Sequence, residues 1–118
     1  MDSQRIRDEA VLALEDIKAK DIEVLDVHRM TSLCDYMIIA SADSTRQTRA
    51  LARNVEDRLR EKGATVYGVE GEQSGEWILV DLGAVVVHVM QPAVREYYDL
   101  SELWGGSRRP ALRVASSG

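Results

Sequence analysis

Two predicted strands near the middle of the chain carry the residues best able to do chemistry, which are Trp77, Asp81 and His88. Because side chains on a strand alternate between its two faces, these three fall on one face of a predicted hairpin. The same face also carries Leu79, Val86 and Met90. The opposite face is entirely apolar and is predicted to be core. A Trp beside an acid and an imidazole favours a surface that recognises another molecule.

The turn of this hairpin decides which of these residues lie opposite each other. A two-residue turn at residues 82–83 places Trp77 opposite His88, and a shift of one residue in the turn would change that pair. A structural alternative stays open, in which a helix covers the face and hydrogen bonds satisfy His88 and Asp81.

An enzyme is a competing hypothesis, because Asp81 and His88 could form an acid–base pair. The pattern places no Ser or Cys beside them as a nucleophile. His28, His88 and Cys34 lack metal-binding spacing, and the glycines match no phosphate-binding motif. We therefore predict no catalytic residue, no metal site and no cofactor. Cys34 is interpreted as a small core residue.

Hydrophobic periodicity and helix-end signals predict the elements that must position this face. Helices are predicted over 4–19 and 44–62, the second beginning with capping-box spacing between Ser44 and Gln47, and a last helix begins at Pro92. Five strands are predicted over 22–27, 35–40, 64–70, 76–82 and 84–90.

The element order αββαβββα predicts a single α/β (α+β) domain, with a mixed sheet of about five strands flanked by helices. This domain is predicted over residues 1–106, and residues 107–118 are predicted to form a basic, disordered tail. A single cysteine and the lack of any apolar stretch of bilayer length predict a cytoplasmic protein without membrane contact.

The charge of the chain narrows the class of partner. Residues 1–104 hold 12 basic and 20 acidic side chains, a net charge of −8. A field of this sign repels phosphate backbones and attracts basic proteins, so no direct sequence-specific contact with nucleic acid is expected. The exception is Arg46, Arg49 and Arg53, which share one helix face where the helix dipole disfavours cations. They form either a solvated face or a basic stripe for a dimer mate or partner.

An ordered set of short segments resembles the ribosomal silencing factor family, also called the Iojap-like family. The segments are DYMIIAS at 35–41, STRQ at 44–47, EG at 70–71, GEWILVD at 75–81, VVHV at 86–89, REYYDL at 95–100 and LW at 103–104. No single segment is diagnostic, but their order is specific. The resemblance covers about residues 4–106.

This resemblance implies a function in translation. Members of the family bind the large ribosomal subunit through its ribosomal protein number fourteen, and block joining of the small subunit when nutrients are scarce. They form homodimers in solution. Their fold resembles the nucleotidyltransferase core, whose metal-holding Gly-Ser turn and Asp-x-Asp strand are missing here, since no Gly precedes Ser41 and Asp81 has no acid two positions away. The alternatives are an assembly factor for the large subunit and, less favoured, a residual nucleotidyltransferase or hydrolase.

The predicted partner-binding residues are taken from the hairpin face and from the segments that carry the resemblance. They are Trp77, Asp81, His88, Glu70, Tyr98 and Trp104. Trp104 and Tyr97 fit core or dimer roles about as well.

Overall fold

The structure, a computed structural model, describes residues 1–105 and contains four helices and five strands in that part of the chain. In chain order the elements are α1 (Ser3–Asp16), β1 (Lys20–Asp26), β2 (Tyr36–Ser41), α2 (Thr45–Glu61), β3 (Gly68–Glu70), β4 (Trp77–Asp81), β5 (Val85–Met90), α3 (Pro92–Tyr98) and α4 (Leu100–Gly105). The predicted boundary at residue 106 and the predicted tail at 107–118 lie outside the described residues.

The five strands form one sheet in the order β1-β2-β5-β4-β3. Strands β2 and β5 are parallel, whereas the other neighbouring pairs are antiparallel. The sheet is therefore mixed, and the predicted α+β architecture is confirmed. None of the described helices has the length and apolar character needed to cross a membrane.

Side chains cap the two long helices at their first turns. Asp2 accepts a hydrogen bond from the Arg5 backbone N–H at 2.8 Å, and Ser44 accepts one from the Gln47 backbone N–H at 3.1 Å. The Gln47 amide donates to the Ile17 carbonyl at 3.3 Å instead of returning to Ser44. The predicted capping box is thus formed in one direction only, and its second half ties α2 to the end of α1.

Two predicted elements differ most from their patterns. Of the predicted strand 64–70 only Gly68–Glu70 pairs with β4, because the chain before it is held by the end of α2, where the Ala64 N–H donates to the Leu59 carbonyl. The predicted C-terminal helix is two helices, because Asp99 adopts a left-handed backbone with φ of 45°. The Asp99 carboxylate then accepts the Glu102 N–H and so begins α4.

One side of the sheet, here called the back face, is aliphatic on its four longer strands apart from the neighbouring pair Asp26 and Tyr36, and α1 and α2 cover it. Its strand residues at 2% exposure or less are Ile22, Ile38, Ala40, Ile78, Val80, Val85, Val87 and Val89. Against them lie the helix residues Ala10, Ala13, Leu14, Leu51, Ala52, Val55 and Leu59. Fully burying one such Val, Leu or Ile stabilises a fold by about 1.5–3 kcal/mol. The predicted core face of the hairpin is confirmed, and it is part of this back face.

Candidate partner-binding surface

The opposite side of the sheet, here called the front face, carries the residues singled out for chemistry. On β4 and β5 these are Trp77, Leu79, Asp81, Val86, His88 and Met90. The actual register pairs Trp77 with Met90, and Leu79 with His88. The prediction that Trp77 lies opposite His88 is wrong, because the turn is at residues 83–84, where the Leu82 N–H donates to the Val85 carbonyl at 2.9 Å. The shift moves partners by two positions and so keeps every side chain on its predicted face.

Trp77 and His88 nevertheless bind each other along the diagonal of this pairing. The Trp77 indole Nε1–H donates to His88 Nδ1 at 2.9 Å, with the ring centroids 5.9 Å apart. His88 is only 6% exposed, and its burial lowers the pKa of the imidazole to about 4. At neutral pH the ring is therefore uncharged, and since Nδ1 accepts, its proton is on Nε2. His88 acts here as a fixed acceptor that orients the Trp77 ring.

Two tyrosines of α3 extend this pair outward. The Tyr98 ring lies 4.9 Å from the Trp77 ring, and the Tyr97 ring meets Tyr98 edge-on at 5.0 Å. Tyr97 is 81% exposed and Tyr98 52% exposed, while Trp77 is half-buried. A core role for Tyr97 is therefore wrong. Trp77, Tyr97 and Tyr98 form an outward-facing group of rings, here called the aromatic cluster.

A buried ion pair fixes the helix that supplies these tyrosines. Arg95 donates through Nη2 to Glu23 Oε1 and through Nη1 to Ser41 Oγ, both at 3.0 Å. Glu23 is 1% exposed, whereas α3 itself has no buried residue. Since Arg95 and Tyr98 are three residues apart, they lie on neighbouring parts of one helix face. The pair thus holds α3 across the end of the sheet, where Ser41, Met90 and Trp77 lie in one row.

The sequence prediction missed Glu23 as part of this surface. Its only signal was a charged residue within the predicted buried strand 22–27, on the parity of Leu25. Such a position requires a partner of opposite charge. The partner, Arg95, lies 72 residues further along the chain, and no local pattern connects the two.

The remaining predicted site residues are placed less centrally. Asp81 uses Oδ1 to accept the Gly83 N–H at 2.8 Å, so it stabilises the hairpin turn. Glu70 is exposed on β3, opposite Leu79. Trp104 on α4 packs against the same buried apolar cluster as Trp77, a cluster that includes Leu25 and Met90. Within residues 1–105 neither a hydrogen bond nor a ring contact joins these three side chains to the aromatic cluster.

These contacts also decide between the two alternatives left open for the face. His88 and Met90 are buried, at 6% and 0% exposure, and Met90 belongs to the same apolar cluster as Leu100 of α4. His88 and Asp81 each have a hydrogen-bond partner, but the two do not bind each other, so the hypothetical acid–base pair is not assembled. No group of three or more His, Cys, Asp or Glu in the described part of the chain is arranged to hold a metal ion. Cys34 is buried, as predicted, and burial raises the pKa of its thiol.

The loop that leads into Trp77 is held rigidly by α2. Gly71 has φ of 90°, and a Cβ there would lie 2.0 Å from the Trp77 carbonyl oxygen, so only glycine fits. The Thr48 hydroxyl donates to the Gly75 carbonyl at 2.5 Å. Arg49 donates through Nε and Nη2 to the carbonyls of residues 72 and 73, at 2.8 and 2.7 Å. These contacts hold the turn at 71–75, which fixes where β4 begins.

The chain around the aromatic cluster is acidic. Glu76 precedes Trp77, Glu96 precedes Tyr97, and both carboxylates are exposed. Neither takes part in an ion pair between described residues. Rings flanked by unneutralised carboxylates suit a partner that offers apolar surface together with Lys or Arg.

Comparison with known proteins identifies close relatives. A family model described as "Ribosomal silencing factor during starvation" matches residues 1–117. The ribosomal silencing factor RsfS of Chromobacterium violaceum is 53% identical over 117 residues, which cover 99% of this chain and 95% of that protein. A crystal structure of a protein from the same species superposes with a TM-score of 0.88 at 56% identity, covering 89% of this chain and 88% of that one. The mouse protein named mitochondrial assembly of ribosomal large subunit protein 1 is 33% identical over 100 residues, which cover 82% of this chain and 44% of that protein.

Proposed function

The chain belongs to the ribosomal silencing factor family, and from this premise we propose that it binds the large ribosomal subunit and prevents the small subunit from joining. Its contact on the large subunit is ribosomal protein number fourteen. Translation is repressed as a result, chiefly under nutrient limitation. The protein acts in the cytoplasm and is a homodimer before it docks.

The aromatic cluster is the observation that carries this proposal. Trp77 is half-buried and oriented by His88, so its ring is rigid before a partner arrives. Tyr97 and Tyr98 extend the same apolar surface into solvent. A preformed surface of this kind loses little side-chain entropy on binding. The surrounding carboxylates add attraction for a basic ribosomal protein, which raises the rate and the specificity of docking.

Binding alone is sufficient for the proposed mechanism. The described residues extend over 33 × 32 × 21 Å, so a copy seated on the face of the large subunit that meets the small subunit excludes the latter by volume. No bond is made or broken. The inhibition is therefore expected to be reversible and to saturate when every large subunit is occupied.

Co-sedimentation with separated ribosomal subunits, followed by an assay of subunit joining, tests the proposal. We expect the protein to sediment with the large subunit alone and to reduce the fraction of joined ribosomes in proportion to occupancy. A Trp77→Ala, Tyr98→Ala double variant is expected to lose both effects, whereas Leu12→Ala, which removes an exposed apolar side chain of α1, should retain both. Absence of binding to the large subunit, or binding without an effect on joining, would contradict the proposed function.

A second candidate function is assembly of the large subunit, which the name of the mouse relative favours. Such a factor would use the same surface, and only the time of binding would differ. Sucrose-gradient profiles of cells that lack the protein separate the two candidates. Precursor particles of the large subunit would accumulate if assembly were the main function, while excess joined ribosomes during starvation would indicate silencing.

A further inference from the structure

The outward face of α2 carries an arginine stripe, made of Arg46, Arg49 and Arg53, that neither the fold nor the aromatic cluster uses fully. All three side chains are exposed and lie opposite the buried side of the helix. With about 1.5 Å of rise per residue, the stripe extends about 10 Å along the helix axis. Its neighbouring members are about 5–6 Å apart at Cβ.

Within the described residues the charges of the stripe are not neutralised, and unlike the other exposed arginines without an ion pair, Arg5 and Arg29, the three lie together on one helix face. Arg7, Arg58, Arg60 and Arg95 each form an ion pair with a carboxylate. None of the stripe residues does so, since Arg49 donates only to the two uncharged carbonyls at 72 and 73.

Helix electrostatics gives no reason for this arrangement. The stripe occupies the half of α2 nearer its N-terminus, where the positive end of the helix dipole repels cations. The first turn of α2 contains no acidic residue that would offset the repulsion. The dipole acts on Arg46 in the first turn, and the like charges of Arg49 and Arg53 at i,i+4 repel each other, so the stripe weakens the helix slightly, which suggests a use outside it.

We propose that the arginine stripe contacts the phosphate backbone of ribosomal RNA beside the protein contact of the aromatic cluster. Planar guanidinium forks match phosphate oxygens, and a row of them matches a row of regularly spaced anions. The inference rests on the proposed function, because the large subunit is what places RNA next to a docked copy. Phosphate contacts of this kind do not depend on the base sequence of the RNA.

The two surfaces lie on opposite sides of the sheet and are connected through the loop that leads into Trp77. Arg49 of the stripe and Thr48 beside it hold the loop at 71–75, and Trp77 is only two residues past Gly75. A partner that extends around this loop would meet both the aromatic cluster and the stripe. The net charge of −8 over residues 1–104 opposes contact with free RNA. The RNA contact is thus a second contact, formed after the protein partner has brought the stripe to the particle.

The test compares salt dependence on two targets. Arg46→Ala with Arg53→Ala removes the two stripe residues that hold no loop, and Arg49 is left in place. Affinity is measured between about 50 and 200 mM salt for the intact large subunit and for isolated ribosomal protein number fourteen. We expect roughly tenfold weaker binding to the subunit and a decrease of about 1.4–1.8 in the slope of log affinity against log salt. Affinity for the isolated protein should not change.

The matched control is Arg5→Ala with Arg29→Ala, which removes two exposed arginines outside α2 with the same change in net charge. This control should lower the slope of log affinity against log salt much less than the stripe variant does. Equal slopes for the stripe variant and the wild type, or an equal loss on the isolated ribosomal protein, would overturn the inference, as would a changed homodimer in sedimentation velocity. If the wild-type protein binds neither target, the proposed function is wrong, and the inference that depends on it is wrong as well.

Discussion

The back face of the sheet is filled by aliphatic side chains from the strands, α1 and α2, whereas the front face sets a histidine, an ion pair and aromatic rings on the same strands. On β5 the difference appears between adjacent residues, because Val87 and Val89 point to the back while His88 points to the front. The aliphatic side chains of the back face stabilise the fold if they are apolar and fill the available volume. On the front face, by contrast, each buried polar group must also form a hydrogen bond with a specific partner.

This difference shows how one sheet can provide both a stable fold and a defined surface for binding. An aliphatic core contributes most of the burial energy but specifies orientation weakly. The polar contacts of the front face, Trp77 with His88 and Arg95 with Glu23, contribute less net stability but fix the positions of exposed rings. We expect damage to the back face to lower the free energy of unfolding most, and damage to the front face to weaken binding most.

Truncation of adjacent residues on opposite faces gives the largest expected contrast. Ile78 is fully buried on the back face, and Ile78→Ala should lower the free energy of unfolding by about 4 kcal/mol, because it leaves a cavity in the core. Leu79 points to the front and is only half-buried, so Leu79→Ala should cost less than about 1.5 kcal/mol. Urea unfolding of both variants measures the difference. Equal losses would remove the distinction between the two faces.

His88 makes the stability of the front face dependent on pH. Its pKa is about 4 in the folded chain and about 6.5 when unfolded, so the unfolded state binds more protons between these values. Stability is complete above about pH 6.5 and falls as the pH drops toward 4, by up to about 3 kcal/mol in all. About 1.3 kcal/mol of this should be lost between pH 7.5 and 5.5.

Urea unfolding at several pH values checks this, with His88→Gln as the control. Glutamine can still accept from the Trp77 indole but does not titrate. The stability of the control should vary little between pH 7.5 and 5.5. The other histidine, His28, is exposed in both proteins. A wild-type protein whose stability stays constant over this range would show that His88 is accessible to protons in the folded state.

Removal of Arg95 tests whether the ion pair positions α3. Loss of the charged partner of a buried carboxylate costs about 3–5 kcal/mol, but α3 has no buried residue and can lift to let water reach Glu23. We expect Arg95→Met to cost roughly 2 kcal/mol, to change the tryptophan fluorescence and to weaken binding to the large subunit. Arg95→Lys keeps the charge and should restore part of each effect. Unchanged fluorescence and affinity in folded Arg95→Met would mean that Tyr98 is held by its ring contact alone.

The same comparison explains what the sequence could predict. The back face was predictable, because alternating aliphatic residues on strands and a periodic stripe on helices are local patterns. The hairpin register was not, because turns at 82–83 and 83–84 both include Gly83 and preserve the same faces. The break at Asp99 depends on a single left-handed residue, and the Glu23–Arg95 pair joins distant segments. Trp77, His88 and Tyr98 were predicted as members of one surface, but their mutual contacts required the fold.

Truncation of the Trp77 ring has the smallest expected change in free energy among these variants, but the change is in the free energy of binding and so tests function directly. Trp77→Ala should weaken binding to the large subunit by more than about 1 kcal/mol, as truncation of buried aromatic anchors does. Trp77→Phe keeps most of the ring and loses only the hydrogen bond to His88, so it should lose about half as much. Both are measured by titration against purified subunits, with circular dichroism to confirm folding. Added salt should weaken binding in every variant, since charges around the cluster are screened. If folded Trp77→Ala binds as tightly as the wild type, the partner does not contact the aromatic cluster, and the front face is polar for structural reasons alone.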